Sequence, residues 1–159
     1  LKKIIIAAVS LNYVIGKDGK IPWNSERELI YFKNATMGFP VLMGRKTWET
    51  LKYPLKNRKN IILSRNSNFS FFHPNVVIYN SISDAVNYCE YENFEKLFII
   101  GGEEVYNQTI ELADEIILSI MKFEIDGDKF FPKIEKDKWK LAAEIDEGEF
   151  LIKHFEKIL

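Results

Sequence analysis

The sequence predicts an α/β fold: one domain with a central, largely parallel sheet and helices on both faces. Two patterns carry that prediction. Short apolar runs with the character of strands buried on both faces recur at Ile4 to Val9, Val41 to Met43, Ile61 to Leu63, Val76 to Tyr79, Leu97 to Ile100 and Ile116 to Met121. Between them lie stretches with helical spacing, and strands that alternate with short helices imply parallel pairing.

In chain order, Ile4 to Val9 is the first strand, far too short to span a bilayer and without the pattern of a signal peptide. Helical spacing then follows at Ser25 to Ala35, at Thr47 to Leu51, at Ser83 to Cys89 and at Glu103 to Leu112, each placed between two of the apolar runs. The last third departs from the rhythm. Trp139 to Ile145 and Glu149 to Phe155 flank Asp146-Glu147-Gly148, which reads as an antiparallel hairpin closing one edge of the sheet. No repeat, low-complexity tract or linker divides the chain, so residues 1–159 are expected to form a single domain.

The chain has 22 basic and 23 acidic residues and a formal charge of −1, so the balance advertises neither nucleic acid nor an acidic membrane as a partner. Cys89 is the sole cysteine, and no His, Cys, Asp and Glu set shows metal-ligand spacing. A cytoplasmic setting and no metal are therefore expected. His73 and His154 stand far from other nucleophiles or bases, which argues against a Ser-His-Asp or Cys-His device. Cys89, Trp48, Trp139, Phe130 and Phe131 read as packing residues, and Phe69 to Phe72 lacks the basic interleaving of a nucleic-acid platform.

Four segments carry candidate chemistry. Ile15-Gly16-Lys17-Asp18-Gly19-Lys20-Ile21-Pro22-Trp23 is a short polar loop whose two glycines allow close approach to a flat ligand, and its exit is stiffened by Pro22 and Trp23. It reads as a lid. Glu28 follows in the first turn of a helix, where Ser25-Glu26-Arg27-Glu28 matches a capping box, so the acid is either a cap or a partly desolvated partner for a heterocycle. Gly101-Gly102, directly after a strand, suits a pyrophosphate, with a ligand-free tight turn as the competing reading. Gly44-Arg45-Lys46-Thr47-Trp48, with Arg65 after Ser64, forms a candidate phosphate clamp or else a set of ordinary surface cations. A Walker A loop and the three-glycine dinucleotide fingerprint are both absent.

In register along the whole chain, these segments resemble the dihydrofolate reductases of the bacterial single-domain type. The matching stretches are Ile4 to Val9, Val14-Ile15-Gly16, Ile21-Pro22-Trp23-Asn24, Glu28-Leu29, Phe32-Lys33, Met43 to Glu49, Pro54-Leu55, Arg58 to Ser64, Ile100-Gly101-Gly102, Val105-Tyr106, Gly127-Asp128 and Phe131-Pro132. The resemblance implies an eight-stranded sheet flanked by four helices, with an antiparallel C-terminal strand. It also implies reduction of dihydrofolate by NADPH in a monomer that antifolates inhibit. Glu28 would be the ionisable pocket residue that bonds the pterin, supported by Ser119, with Ile21 and Trp23 beside the reacting rings. Ile6, Ala8, Phe32, Lys33, Leu51, Tyr53, Leu55, Arg58 and Ile100 would complete the substrate site, Arg58 taking the glutamate carboxylate.

For the cofactor the resemblance implies Ala8, Val14, Ile15, Gly16, Lys17, Asp18, Gly19 and Lys20 at the nicotinamide and lid. Gly44, Thr47, Gly101, Gly102, Glu103, Glu104, Val105, Tyr106 and Gln108 would lie around the pyrophosphate, with Ile100 beside them. Arg45, Lys46 and Arg65 would read the adenosine 2′-phosphate beside Leu63, Ser64 and Asn80. The chain also departs from its relatives: Ser25-Glu26 replaces a common Leu-Pro, and Ile21 replaces Met or Leu in the lid. Glu103 replaces a small residue, and its acid has to point away from the pyrophosphate. Two alternatives stand beside this reading: a riboflavin-pathway reductase of the same fold, and a nucleotide-binding module without turnover.

Overall fold

The apolar runs become the strands of one sheet in a computed structural model that describes all residues from Leu1 to Leu159. The elements are β1 (Lys2–Val9), β2 (Val14–Gly16), α1 (Glu26–Thr36), β3 (Val41–Gly44), α2 (Arg45–Glu49), β4 (Asn60–Leu63) and β5 (Val76–Tyr79). They continue with α3 (Ile82–Tyr91), β6 (Lys96–Ile99), α4 (Glu103–Thr109), β7 (Glu115–Met121), β8 (Lys129–Phe130), β9 (Trp139–Asp146) and β10 (Phe150–Lys157). Eight strands pair in the order β5-β4-β3-β6-β1-β7-β10-β9. All pairings from β5 to β7 are parallel, and only β10 is reversed, pairing antiparallel with β7 on one side and with β9 on the other.

The chain runs outward from β1 through β3, β4 and β5 and then returns to insert β6 between β3 and β1. That return opens a crevice at the carboxyl ends of the central strands, the usual ligand site of open α/β sheets. The sheet separates two apolar clusters. Ile5, Ala7, Val9, Leu42, Ile61, Leu97, Ile99 and Leu118 pack on one face with α3 and α4. Ile4, Ile6, Val41, Met43, Ile62 and Phe98 pack on the other with Phe32 and Ala35 of α1.

Three differences from the sequence reading have simple causes. Strand β5 is a sheet edge, so only Val76 is buried and the run is not covered on both faces. Phe130 is 44% exposed rather than packed, because its strand pairs only with β2 in a separate two-stranded sheet. The last helix stops at Thr109, whose hydroxyl donates back to the Val105 carbonyl at 2.7 Å, the local competition that makes threonine a poor helix interior. The C-terminal hairpin is as expected. Its turn puts Gly148 at φ +88°, where a Cβ would be strained, and β9 is exposed beyond Trp139.

Candidate active site

Glu28 is 7% exposed, whereas its neighbours Leu29 and Ile30 are 55% and 53% exposed. The helix therefore turns a carboxylate inward and two aliphatic side chains outward, the reverse of an ordinary amphipathic helix. The capping reading is half right. Ser25 caps α1 by accepting from the Glu28 backbone N–H at 3.3 Å, and its hydroxyl donates to Glu149 at 2.8 Å, but no bond runs back from the Glu28 carboxylate to Ser25. The carboxylate is free to face the sheet. Burial pushes its pKa up, and the nearby Ser119 hydroxyl only partly offsets this; no cation contributes.

Ser119 reaches Glu28 by register. Strand β7 lies beside β1 with Ser119 opposite Ala8, and Ile117 opposite Ile6. The Ser119 hydroxyl is buried, close enough to favour the charged form of Glu28, yet it has no partner within hydrogen-bond geometry. A buried hydroxyl without a partner is uncommon in a finished core and marks a place built for a water or a polar ligand.

On the same face as Glu28, Phe32, Leu51, Leu55 and Ile100 pack around the cluster that holds Ile6. Arg58 closes the far end. It is 6% exposed, donates to the Thr36 hydroxyl at 3.0 Å and to the Lys56 carbonyl at 2.9 Å, and meets no carboxylate of the chain. Burial alone lowers its pKa. A buried guanidinium with only neutral partners retains donors for an incoming anion. Its loop is pinned by Asn60, fully buried, whose side chain accepts from the Leu55 N–H at 2.9 Å and donates to the carbonyls of Leu55 and Arg58, both at 3.0 Å. Lys33 and Tyr53 remain exposed at the rim.

The glycine loops meet across the crevice. Strands β3 and β6 are neighbours, and the Gly44 N–H donates to the Gly101 carbonyl at 2.9 Å. A Cβ on Gly44 would stand 3.2 Å from Val105, and one on Gly101, at φ +118°, 3.2 Å from the Tyr106 ring. Gly102 faces the Thr47 hydroxyl instead. The bare floor between β3 and β6, with a hydroxyl on one side, suits a pyrophosphate. Tyr106 itself lies beneath that floor, buried, donating its hydroxyl to the Ile6 carbonyl at 2.9 Å; burial and the Glu28 charge both push its pKa up.

The cations are arranged less simply than their spacing suggests. Gly44 and Leu63 are in register, so Arg45, one residue past β3, and Arg65, two past β4, leave the carboxyl ends of adjacent strands. Arg45 donates its Nε to Glu49 at 2.9 Å, Arg65 pairs with Glu104 at 2.8 Å, and Lys46 is exposed without an ion pair. Glu103 turns away from the glycines, as its charge requires, and accepts from the Phe130 N–H at 2.6 Å.

The loop read as a lid is held from a distance. Residues 17–20 form a tight turn in which Lys17 and Lys20 exchange backbone bonds, and Gly19 has φ +79°. Asp128 accepts from the Asp18 N–H at 3.1 Å and donates its own N–H to the Gly16 carbonyl at 3.0 Å. Gly127 packs so closely on Val14 and the Gly16 carbonyl that any Cβ would collide. Ile21 is 58% exposed, and Trp23 stands edge-on to Phe123 at 5.8 Å. Sequence reasoning missed the roles of Asn60 and Asp128, and the Phe69 ring that lies 4.5 Å from the Arg45 guanidinium carbon; Gly127-Asp128 carried a signal as a pair, but no role.

A bare glycine floor and a buried carboxylate beside apolar side chains, at the carboxyl ends of a parallel sheet, define the class: an α/β protein with a small-molecule site in its crevice. The dihydrofolate reductase family model matches residues 3–151. A dihydrofolate reductase of Haemophilus influenzae is 41% identical over 90% of this chain and 85% of its own length, and one of Bacillus subtilis is 36% identical over 87% and 80%. A solved dihydrofolate reductase from Enterococcus faecalis, complexed with NADP(H) and RAB-propyl, superposes with a TM-score of 0.86 at 27% identity, covering 98% of this chain and 96% of its own. The chain belongs to the dihydrofolate reductase family.

Proposed function

We propose that residues 1–159 act as one domain that reduces 7,8-dihydrofolate to 5,6,7,8-tetrahydrofolate with NADPH, feeding one-carbon metabolism and thymidylate synthesis from the cytoplasm as a monomer. The observation that carries the substrate reading is Glu28: a buried carboxylate with no cationic partner, next to an unpartnered buried hydroxyl, at the head of an apolar crevice. A flat heterocycle with an amidine-like edge supplies the donors that this carboxylate lacks. Phe32 and Leu55 flank the body of the substrate, and Arg58 takes the tail carboxylate; antifolates that share these groups compete for the same crevice.

The bare glycine floor and the free edges of Arg45 and Thr47 fit a phosphorylated dinucleotide. NADPH, when bound, supplies the hydride that passes from nicotinamide C4 to pterin C6. The backbone of Ala8 and Ile15 orients the carboxamide, and Gly101, Gly102 and Thr47 hold the pyrophosphate. Arg45, Lys46 and Arg65 meet the 2′-phosphate, while the turn at Gly16 to Lys20 excludes bulk water. Glu28 stabilises the protonated pterin electrostatically, and N5 takes its proton from a water near the carboxylate.

The purified protein, mixed with dihydrofolate and NADPH, should consume NADPH in proportion to dihydrofolate, and more slowly with NADH. No folate-dependent loss, despite NADPH binding, would remove the pterin assignment and leave the dinucleotide groove.

A further inference from the structure

Arg45 has two neighbours in the fold. Its Nε donates to Glu49, one turn along α2, and its guanidinium carbon stands 4.5 Å from the centroid of the Phe69 ring. The terminal nitrogens, by contrast, have no hydrogen-bond partner in the protein. A guanidinium above a ring face is attracted by the ring quadrupole and is held flat against it.

Phe69 comes from a different part of the chain, the loop after β4, and that loop is itself anchored. The Ser64 N–H donates to the Tyr79 carbonyl at 3.0 Å, and the buried Ser64 hydroxyl accepts from the Asn66 N–H at 3.2 Å. The Asn66 side chain then accepts from the Asn68 N–H at 3.0 Å, and its carbonyl from the Phe69 N–H at 3.0 Å. Three successive turns thus carry the rigidity of the sheet out to the ring. The ring is half-buried at the margin of the smaller apolar cluster, and it walls a surface cleft of about 350 Å³ that runs between Ser64 and Asn80.

An unrestrained surface arginine spreads over many rotamers, and ordering it on a ligand costs affinity. The exposed pair with Glu49 restrains Arg45 weakly, and it is the Phe69 ring that holds a face and leaves the terminal fork preset for a tetrahedral anion. Resting on the reading of Arg45 as a contact of the 2′-phosphate, we propose that Phe69 is a positioning residue for cofactor choice. It acts through Arg45, and it favours NADPH over NADH without itself touching the phosphate.

The competing account is that Phe69 only fills the margin of the core. Leucine fills the same space but has no π face, so Phe69→Leu separates the two, with Phe69→Tyr as the aromatic control. The dissociation constants of NADPH and NADH, followed by quenching of tryptophan fluorescence, are the readout, and melting temperature checks folding. Phe69→Leu should weaken NADPH roughly 2- to 5-fold with NADH unchanged, and Phe69→Tyr should keep the parental ratio. A Leu variant that retains that ratio, or that weakens both cofactors alike, overturns the proposal. Arg45→Ala isolates the underlying reading: it should collapse the NADPH preference. If Arg45→Ala moves both cofactors equally, the 2′-phosphate assignment falls and the role of Phe69 falls with it.

Discussion

Replacing Asn60 tests whether the substrate end of the crevice is built on one buried amide. Its side chain makes three hydrogen bonds of 2.9–3.0 Å to the backbone of Leu55 and Arg58, at a position with no solvent exposure. Alanine removes all three. At a net ~1 kcal/mol per bond, the loss is about 3 kcal/mol, and more if the Leu55 N–H is left buried and unpaired. For a domain of this length, 1 kcal/mol moves the midpoint by roughly 2–4 °C, so Asn60→Ala should melt about 6–12 °C lower in a thermal scan.

The same variant has a kinetic signature, because the loop carries Leu55 and Arg58. It should raise KM for dihydrofolate several-fold while kcat changes less, the pattern of lost uniform binding. Asn60→Asp sharpens the test. A carboxylate keeps the acceptor for Leu55 but faces two carbonyls, so it should be destabilised at pH 7 and recover in acid, where the protonated form donates again. A melting point within about 2 °C of the parent, or an unchanged KM, would refute the view that this amide holds the loop.

Glu28→Gln should lower the hydride-transfer rate at neutral pH by roughly 100-fold or more, measured by single-turnover loss of NADPH; near-parental turnover would return Glu28 to a purely structural role. Its stability should change with the opposite sign. The native pKa is raised by burial, so the native state holds its proton more tightly than the unfolded chain, and the parent loses stability as pH rises from the ordinary carboxylate range through the raised value. The melting point of Glu28→Gln relative to the parent should therefore be higher at pH 8 than at pH 4, and equal offsets would contradict the raised pKa. Glu103→Ala removes the acceptor of the Phe130 N–H; hydrogen exchange should speed at Phe130 and not at Phe98, whose N–H bonds Pro40 within the sheet.

How much of this was legible in the sequence follows from where each interaction finds its partner. Strands β1, β3, β4, β6 and β7 could be read because their burial is imposed by the sheet itself, and burial writes an uninterrupted apolar run. The pair β2 and β8 could not. Val14–Gly16 and Lys129–Phe130 are three and two residues long, and what holds β2 is the close approach of Gly127 and the bond from the Asp128 N–H to the Gly16 carbonyl, contributed from more than a hundred positions away. Local pattern carries no trace of such a partner. The edge strand β5 shows the converse: an apolar run looks the same whether one face or both are covered, and only the strand order decides.

At the site, residue type was legible and side-chain direction was not. Ser25-Glu26-Arg27-Glu28 left cap and ligand partner as alternatives, yet they use different atoms of one residue: the Glu28 N–H serves the cap, and its carboxylate is left over for the crevice. The basic loops pose the same problem at longer range. Nothing near Arg45 in sequence except Glu49 predicts its orientation, and its second restraint, Phe69, arrives through a loop whose reach is set by three turns after β4. Arg65, which looks equivalent in sequence, has no such seat: its partner Glu104 is itself 70% exposed, and an exposed pair restrains a side chain weakly. Of two arginines leaving the carboxyl ends of neighbouring strands, the one pressed against a ring is preset and the other is adjustable, so selectivity should track Arg45 more steeply than Arg65. Arg65→Ala should accordingly reduce the ratio of NADPH to NADH affinity by less than Arg45→Ala does, and the reverse order would show that a preset geometry is not what this clamp depends on.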